Sequence, residues 1–554
     1  MPLSNTSGSI AGSKASATTT PTITGASTPP ASPTPNAPPR ERYDLLIVGG
    51  GINGTGIARD AAGRGLSVLL CEQDDLAAHT SSASTKLIHG GLRYLEDLHF
   101  ALVRKALMER EILLNAAPHI MRPLHFVMPH DQHLRPMWMI RTGLFLYDHL
   151  APRKRLAASA AIDLRKHIAG AALAPQFTRG FVYSDGWTDD ARLVVLNALD
   201  AVGHGATVRT RTRVERLEAL DGEWTARLTT RSPDCTTRGP GGRDGDGARE
   251  SEVVRARAVV NATGPWVTQF IENQSPVKAS HRIRLVKGSH IVVPKLFSHR
   301  FAYIFQNRDR RIVFAIPYER EFTLIGTTDV DYHGEPQQAH IDRQEIAYLC
   351  DIANRYFVRQ IDAAEIAWTY SGVRPLLDDE VTDPASVTRD YVLELDTHPA
   401  PLLSVFGGKI TTYRKLAETA VDRLVRQTGV ATRTSGWTRT AFLPGGDLPG
   451  HSFAVFLRTL ERRYPWLPAA LRVRYARAYG SRIDHVIQDA TTLADMGEEL
   501  VPQLFAREAD YLCREEFALD AEDILWRRTK LGLHLHGHST NGLEEWLSRR
   551  RATV

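Results

Sequence analysis

The first sustained apolar run in the chain is residues 43–48, YDLLIV, which reads as a strand buried on both faces. It runs directly into Gly49-x-Gly51-x-x-Gly54, with Asn53 inside the turn. Residues 57–62 continue as a helix of small residues that Gly63 and Gly65 stop, and residues 66–71 form a second apolar strand ending at Glu72. This is a complete βαβ dinucleotide fingerprint. The first glycine makes the tight turn, the second lets backbone approach a pyrophosphate, and the third lets helix and strand pack closely. The helix N-terminus offers free N–H groups and a positive dipole end. Glu72 follows Gly49 by 23 residues, the spacing of an acid that binds a ribose diol.

The pattern then predicts a long helix over 95–117 and a helix within 181–200 that opens behind the N-cap cluster Thr188-Asp189-Asp190. Residues 207–217 and 224–230 alternate as strands, and 252–260 is a strand ending in Ala262-Thr263-Gly264-Pro265-Trp266. Residues 283–396 are rich in strand-like pieces and predict a separate antiparallel sheet facing the substrate. A strand at 402–406 leads into Gly407-Gly408-Lys409-Ile410-Thr411-Thr412 and a helix over 413–425. From residue 437 the chain is helical, and Arg472, Arg474, Arg477 and Arg482 read as one solvated face.

Composition narrows the picture. At 554 residues the chain is long enough for several domains, and 43% hydrophobic with 24% charged residues is ordinary for a globular protein. A net charge of +5 is too small to argue for nucleic acid but favours an anionic substrate or an anionic membrane surface. Cys71, Cys235, Cys350 and Cys513 are far apart and lack CxxC spacing, which argues against a disulfide framework or a zinc site and for a reducing compartment. No metal is expected. No apolar run reaches 18 residues, so no spanning helix is predicted. Residues 1–40, rich in Ser, Thr, Ala and Pro, read as a disordered extension, and residues 231–250 as an exposed loop. Residues 137–155, MWMIRTGLFLYDHLAPRKR, have the composition of an interfacial segment, although a core helix with the solvated basic end Arg153-Lys154-Arg155 is the commoner reading of such a stretch.

Six motifs stand in order along the chain: LLIVGGGINGTGIARDAAGRGLSVLLCE, TSSASTKLIHGGLRYLE, RLVKGSHIVVP, TYSGVRPL, SVFGGKITTYRKLAE and DILWRRTKLG. Together they resemble FAD-dependent glycerol-3-phosphate dehydrogenase of the aerobic, quinone-linked bacterial type. The resemblance runs from about residue 43 to about residue 543. It implies an α/β protein whose Rossmann-like, glutathione-reductase-type FAD-binding domain is built from discontinuous segments (41–110, 181–270 and 397–430). Beside it the resemblance implies a mixed-sheet α+β substrate domain (111–180 and 271–396) and an all-α C-terminal domain (437–554). The implied reaction oxidises sn-glycerol 3-phosphate to dihydroxyacetone phosphate and passes electrons to membrane quinone from the inner face of the cytoplasmic membrane. The oligomeric state stays open, a homodimer among the options.

For FAD, the expected contacts are Gly49, Gly51, Asn53, Gly54 and Glu72 from the fingerprint, and Ser81, Ser82, Ser84, Lys86, His89, Gly90 and Gly91 from the following loop. Gly264, Pro265, Trp266, Gly407, Gly408, Lys409, Thr411 and Thr412 complete the set. For the substrate phosphate, Arg374 and Arg389 are the candidates, because a guanidinium fork grips phosphate bidentately. His290 is the favoured general base, with His89 and a water relay as rivals. Arg93 and Lys409 would stabilise the developing oxyanion, with Tyr94 and Thr411 adding hydrogen bonds. The alternatives are an oxidase passing electrons to dioxygen, an amine or amino-acid oxidase of the same superfamily, and a flavin-binding membrane sensor.

Overall fold

The computed structural model describes residues 41–95, 98–131, 134–231, 249–309, 311–377 and 391–553. Expectations for 1–40, Cys235, most of the 231–250 loop and Arg389 therefore lie outside the described residues.

The fingerprint strand Arg42–Val48 lies between two parallel neighbours, Val68–Cys71 and Arg249–Asn261. Thr207–Arg209 and Leu402–Phe406 extend the parallel sheet on either side. An antiparallel ladder of Thr212–Leu220 and Glu223–Arg231 leans on the long strand Arg249–Asn261, and Val392–Asp396 closes the other edge. Helix Ile52–Gly63 covers one face together with helices Asp190–Gly203 and Tyr413–Thr428. Gly56 permits this close packing, because a Cβ there would meet the Tyr413 ring at 2.7 Å. As the sequence predicts, Asp189 caps helix Asp190–Gly203, its carboxylate accepting the Arg192 N–H at 3.2 Å.

The second sheet is larger and mostly antiparallel. Its spine is Ile283–Pro294, paired with Trp368–Leu377 on one side and with Phe322–Gly326 on the other. Ile312–Tyr318, Ala302–Gln306, Met121–Pro129 and Arg179–Thr188 continue it. Two expectations need correction here. Residues 181–188 and Leu87–Ile88 belong to this sheet rather than to the dinucleotide domain, because Arg179–Thr188 runs antiparallel along all of Met121–Pro129 and Leu87–Ile88 pairs with it. The helix predicted over 95–117 begins later, at Phe100.

The C-terminal domain has its own core and is mainly helical, with one small ladder, Glu499–Val501 against Leu504–Phe505. Its arginines are not a solvated face. Arg474 grips buried Glu508 with two nitrogens at 2.6 Å, Arg472 is buried on the carbonyls of Tyr464 and Leu467, and Arg482 pairs with Glu515. Helix ends inside the domain leave carbonyls that need donors, and guanidinium supplies several at once. The domain is fastened to the first sheet by buried ion pairs, notably Arg528 bidentate to Asp75 at 2.6 and 2.8 Å.

Candidate active site

The strand Arg42–Val48 ends in a glycine cradle. Gly49 has φ +109°, and a Cβ there would lie 2.5 Å from the Ala262 carbonyl oxygen. A Cβ at Gly54 would lie 1.9 Å from the Gly49 carbonyl oxygen, so both positions require glycine. Ser81 Oγ accepts the Ile52 N–H at 3.0 Å, at the start of helix Ile52–Gly63. Glu72 closes the second strand. Its Oε2 accepts the Gly50 N–H at 2.7 Å and its Oε1 the Asp74 N–H at 2.8 Å, and each oxygen keeps a lone pair for a hydroxyl. Burial pushes this carboxyl up from the usual range, opposed by those N–H groups and by His79.

A cavity of about 270 Å³ starts at Glu72 and passes Gly49, Gly51, Asn53 and Ser81. It continues beside Gly264, Pro265 and Trp266 to Gly407 and Gly408. Asn53 donates to the Gly407 carbonyl at 3.3 Å, and its Oδ1 is buried with no hydrogen-bond partner. A cradle closed to any Cβ, an acid at its ribose end and an orphaned amide oxygen suit a dinucleotide that runs from the fingerprint to residues 407–408.

Other residues of the Thr80–Tyr94 loop go elsewhere. Ser84 Oγ and Lys86 Nζ both donate to buried Asp190, at 2.7 and 2.9 Å, and Ser82 Oγ donates to the His79 carbonyl. Burial lowers the Lys86 ammonium, with Asp190 opposing. Gly90 sits against Leu107 and Tyr147, where a Cβ would clash at 2.5 Å, and its N–H donates to the Tyr147 hydroxyl. Ser82, Ser84, Lys86, His89, Gly90, Gly91 and Thr412 lie outside the stretch of cavity that runs from Glu72 to Gly408, and Ser82 and Lys86 line a second hollow that adjoins it at His79, Thr80 and Trp266. Residues 80–94 wedge between the two sheets, with Thr80 donating to the Val373 carbonyl, Ser84 to Asp190, and Leu87–Ile88 paired with Arg179–Thr188.

Two clusters flank this wedge. In one, His89 donates its N–H to Thr411 Oγ1 at 3.2 Å, and Lys409 Nζ lies 3.8 Å above the Tyr94 ring. Arg93 shares the half-buried turn Leu92–Leu95 with Tyr94. In the other, His290 is fully buried on the spine strand, stacked on Tyr370 at 4.7 Å, with Nε2 3.0 Å from Thr85 Oγ1. Its Nδ1 is buried without a partner. Burial, then the charges of Arg374 and Lys86, hold this imidazole well below its ordinary pKa, so it is neutral at neutral pH. Arg374 Nη2 donates to Thr327 Oγ1 at 2.9 Å and Nη1 pairs with Asp329. Gly288 makes room for that guanidinium, since a Cβ there would meet Nη2 at 2.3 Å. Thr85, Tyr370, Thr327 and Asp329 were not assigned roles from the sequence. Thr85 lies inside the second motif, and Tyr370 stands two residues before the Gly372-Val373-Arg374 turn, but neither type announces chemistry.

The glycine cradle and the neutral histidine beside an arginine define an oxidoreductase that uses a dinucleotide. Residues 44–414 match the FAD dependent oxidoreductase family, and residues 436–546 match the C-terminal domain of alpha-glycerophosphate oxidase. Glycerol-3-phosphate dehydrogenase of Pseudomonas aeruginosa is 53% identical over 91% of this chain and 94% of its own. Aerobic glycerol-3-phosphate dehydrogenase of Escherichia coli is 48% identical over 92% and 97%. D-erythritol 1-phosphate dehydrogenase of Brucella abortus is also 48% identical, over 91% and 98%. The crystal structure of glycerol-3-phosphate dehydrogenase from Bacillus halodurans complexed with FAD superposes with TM-score 0.73 at 27% identity, covering 93% and 92%. The chain belongs to the FAD-dependent glycerol-3-phosphate dehydrogenases. The expected FAD cofactor and the α/β fold with a helical C-terminal domain agree with these matches.

Proposed function

We propose that the chain oxidises sn-glycerol 3-phosphate to dihydroxyacetone phosphate, with Arg374 gripping the phosphate and His290 taking the C2 hydroxyl proton. The observation that carries the reading is a buried, neutral His290 beside a half-buried Arg374 on one strand pair of the second sheet. Gly49, Gly51, Gly54, Asn53 and Glu72 would hold FAD, and when bound FAD supplies the acceptor for the hydride that leaves C2. His290 accepts the hydroxyl proton at Nδ1, the nitrogen without a partner, while Thr85 holds Nε2. Loss of that proton and of the hydride turns the C2 carbinol into the ketone. Lys409 and Arg93 offset the negative charge that grows on the C2 oxygen. Tyr94 and Thr411 orient the substrate, and Arg389 is a second phosphate ligand on the strength of the resemblance alone.

Electrons would leave to membrane quinone from a peripheral position on the inner face of the cytoplasmic membrane. Helix Met137–His149 supports that position. It buries Leu144 and Tyr147 and leaves Trp138 68% and Phe145 53% exposed, one helical face of amphipathic apolar surface. No described helix is long and apolar enough to cross a membrane.

The Brucella relative favours a second reading in which a longer polyol phosphate, D-erythritol 1-phosphate, is the substrate. Adding each phosphate in turn to the purified protein and recording the visible flavin bands separates the two. Bleaching by glycerol 3-phosphate at the lower concentration is expected. Bleaching by the erythritol phosphate alone would replace the substrate assignment. Quinone-analogue reduction without peroxide release would distinguish a dehydrogenase from an oxidase.

A further inference from the structure

Glu321, His534 and His536 meet on the surface at the seam between the second sheet and the C-terminal domain, and each offers one ligand atom. These atoms all lie within 4.8 Å of one another. His534 Nδ1 and His536 Nε2 are each 3.9 Å from the same oxygen, Glu321 Oε2.

A short turn whose leucines are buried arranges this meeting. In the segment LGLHLH, Leu531, Leu533 and Leu535 are buried. His534 ends the 3-10 turn Leu531–His534 and is half-buried, and His536 follows with φ +44° and is exposed. Leu531 and Leu535 pack into the C-terminal core, while Leu533 packs into the core of the second sheet, so the segment straddles the two. Glu321 comes from the hairpin between Ile312–Tyr318 and Phe322–Gly326, and its backbone is fixed there by Lys295, which donates its N–H to the Glu321 carbonyl at 2.9 Å. The His534 ring also packs against Phe322, the next residue in that hairpin, at 5.6 Å.

We propose that Glu321, His534 and His536 form a zinc-class divalent metal site that staples the C-terminal domain to the hairpin. Two neutral imidazoles and one carboxylate are a borderline donor set that selects Zn²⁺ over Mg²⁺ or Ca²⁺, which prefer all-oxygen shells. Tetrahedral zinc with bonds near 2.0–2.2 Å places its ligand atoms about 3.3 Å apart. Closing from 3.9 Å takes a small rotation of Glu321 and His536, whose side chains are 65% and 64% exposed and free to make it. Water completes the fourth position. Two arginines act on His534: Arg320, whose Nη2 donates to the Ala470 carbonyl at 3.3 Å, and Arg474, whose charge is paired with Glu508. The wide cysteine spacing that argued against zinc does not bear on this cluster, which uses none.

None of the three residues lines the dinucleotide cavity, and the test does not depend on the substrate assignment. FAD-loaded, tag-free full-length protein is stripped with chelator, then titrated with Zn²⁺ by calorimetry and with Co²⁺ by visible absorption. The other group of three, Glu72, Asp74 and His79, lies at the dinucleotide cavity and is told apart by the variants below, which leave it intact. One equivalent should bind, Co²⁺ should show the bands of a tetrahedral nitrogen–oxygen site, and Zn²⁺ should raise the thermal midpoint. His536→Ala and Glu321→Gln should each weaken binding at least about 10-fold and abolish the midpoint shift. Both residues are exposed, so both variants keep the fold. Absence of saturable binding, or equal binding by the parent and both variants, overturns the site.

Discussion

Arg374 is ion-paired with Asp329 while its other terminal nitrogen donates to Thr327 Oγ1 at 2.9 Å, so the guanidinium is held on two sides before any substrate arrives. Preorganisation of this kind removes the entropy of placing a long side chain. Arg374→Ala should cost about 3 kcal/mol of phosphate binding, roughly 100-fold in KM, with the FAD spectrum unchanged. Asp329→Asn loosens the tether without removing the charge and should raise KM by roughly 10-fold. Steady-state kinetics with glycerol 3-phosphate check both, and an unchanged KM in Arg374→Ala takes the residue out of the site.

His290 makes a different prediction because it acts on rate. Removing a general base costs about 10²–10⁴-fold, so His290→Ala should slow flavin reduction by that order in stopped flow while substrate binding changes little. The pH dependence follows from the environment. Burial first, then Arg374 and Lys86, set the folded pKa well below the ordinary 6.5, so the base form is complete at neutral pH. Activity governed by this group is lost only as pH falls well below that value. An acid limb in kcat centred at or above pH 6.5 would be incompatible with a desolvated histidine in this role.

The fingerprint could be read from the sequence because its physics is local: strand, turn, helix and acid are contiguous, Gly54 answers a contact within the unit, and Gly49 answers one at the end of the adjoining strand. Gly264 and Gly407-Gly408 were legible for the same reason, each a glycine turn at the end of a parallel strand. What escaped was pairing at long range. Ser84 and Lys86 make contacts that their own segment does not announce: Asp190, more than 100 residues on, accepts from both. The arginines at 474 and 482 looked solvated, since nothing in their own segment reveals that Glu508 and Glu515 point at them. The histidines at 534 and 536 acquire a shared partner only when the Tyr318–Phe322 hairpin brings Glu321 beside them.

Helix Met137–His149 reverses the weight given to its basic tail. Arg153 pairs with Asp148 at 3.4 Å, and Arg155 donates to Asn115 Oδ1 at 3.0 Å, so part of that charge is satisfied within the protein. Trp138 and Phe145 present the larger free surface. Replacing both with Ser should therefore release more protein from anionic vesicles than neutralising Arg153, Lys154 and Arg155 together. Full burial of two such rings is worth about 1.5–3 kcal/mol each, or roughly 10-fold or more in partitioning. Co-sedimentation with vesicles measures this, and equal binding by the Trp138/Phe145 variant would move the contact surface elsewhere.

His119 sets how the fold responds to acid. It is fully buried between the end of helix Phe100–Ala116 and the C-terminal domain, where a Cβ at Gly480 would meet its ring at 2.9 Å. Neither ring nitrogen has a hydrogen-bond partner, and burial, with Arg192 and Arg477 nearby, pushes its pKa down to about 3. The unfolded chain keeps the ordinary value of about 6.5. Between those values the unfolded state binds a proton that the folded state refuses, so stability falls as pH drops through 6.5 and keeps falling toward 3. From pH 7 to pH 5 this single group should remove about 2 kcal/mol. Because His119 wedges the helix end against Gly445 and Gly480, the loss acts at the contact between the dinucleotide half and the C-terminal domain. His119→Leu removes the titration while keeping an apolar side chain of similar size, so the difference in urea unfolding free energy between pH 7 and pH 5 should shrink by about 2 kcal/mol relative to the parent. The absolute stability of the variant is immaterial, since only the pH-dependent part is read. An identical difference in parent and variant would mean that His119 already carries a proton partner in the folded protein.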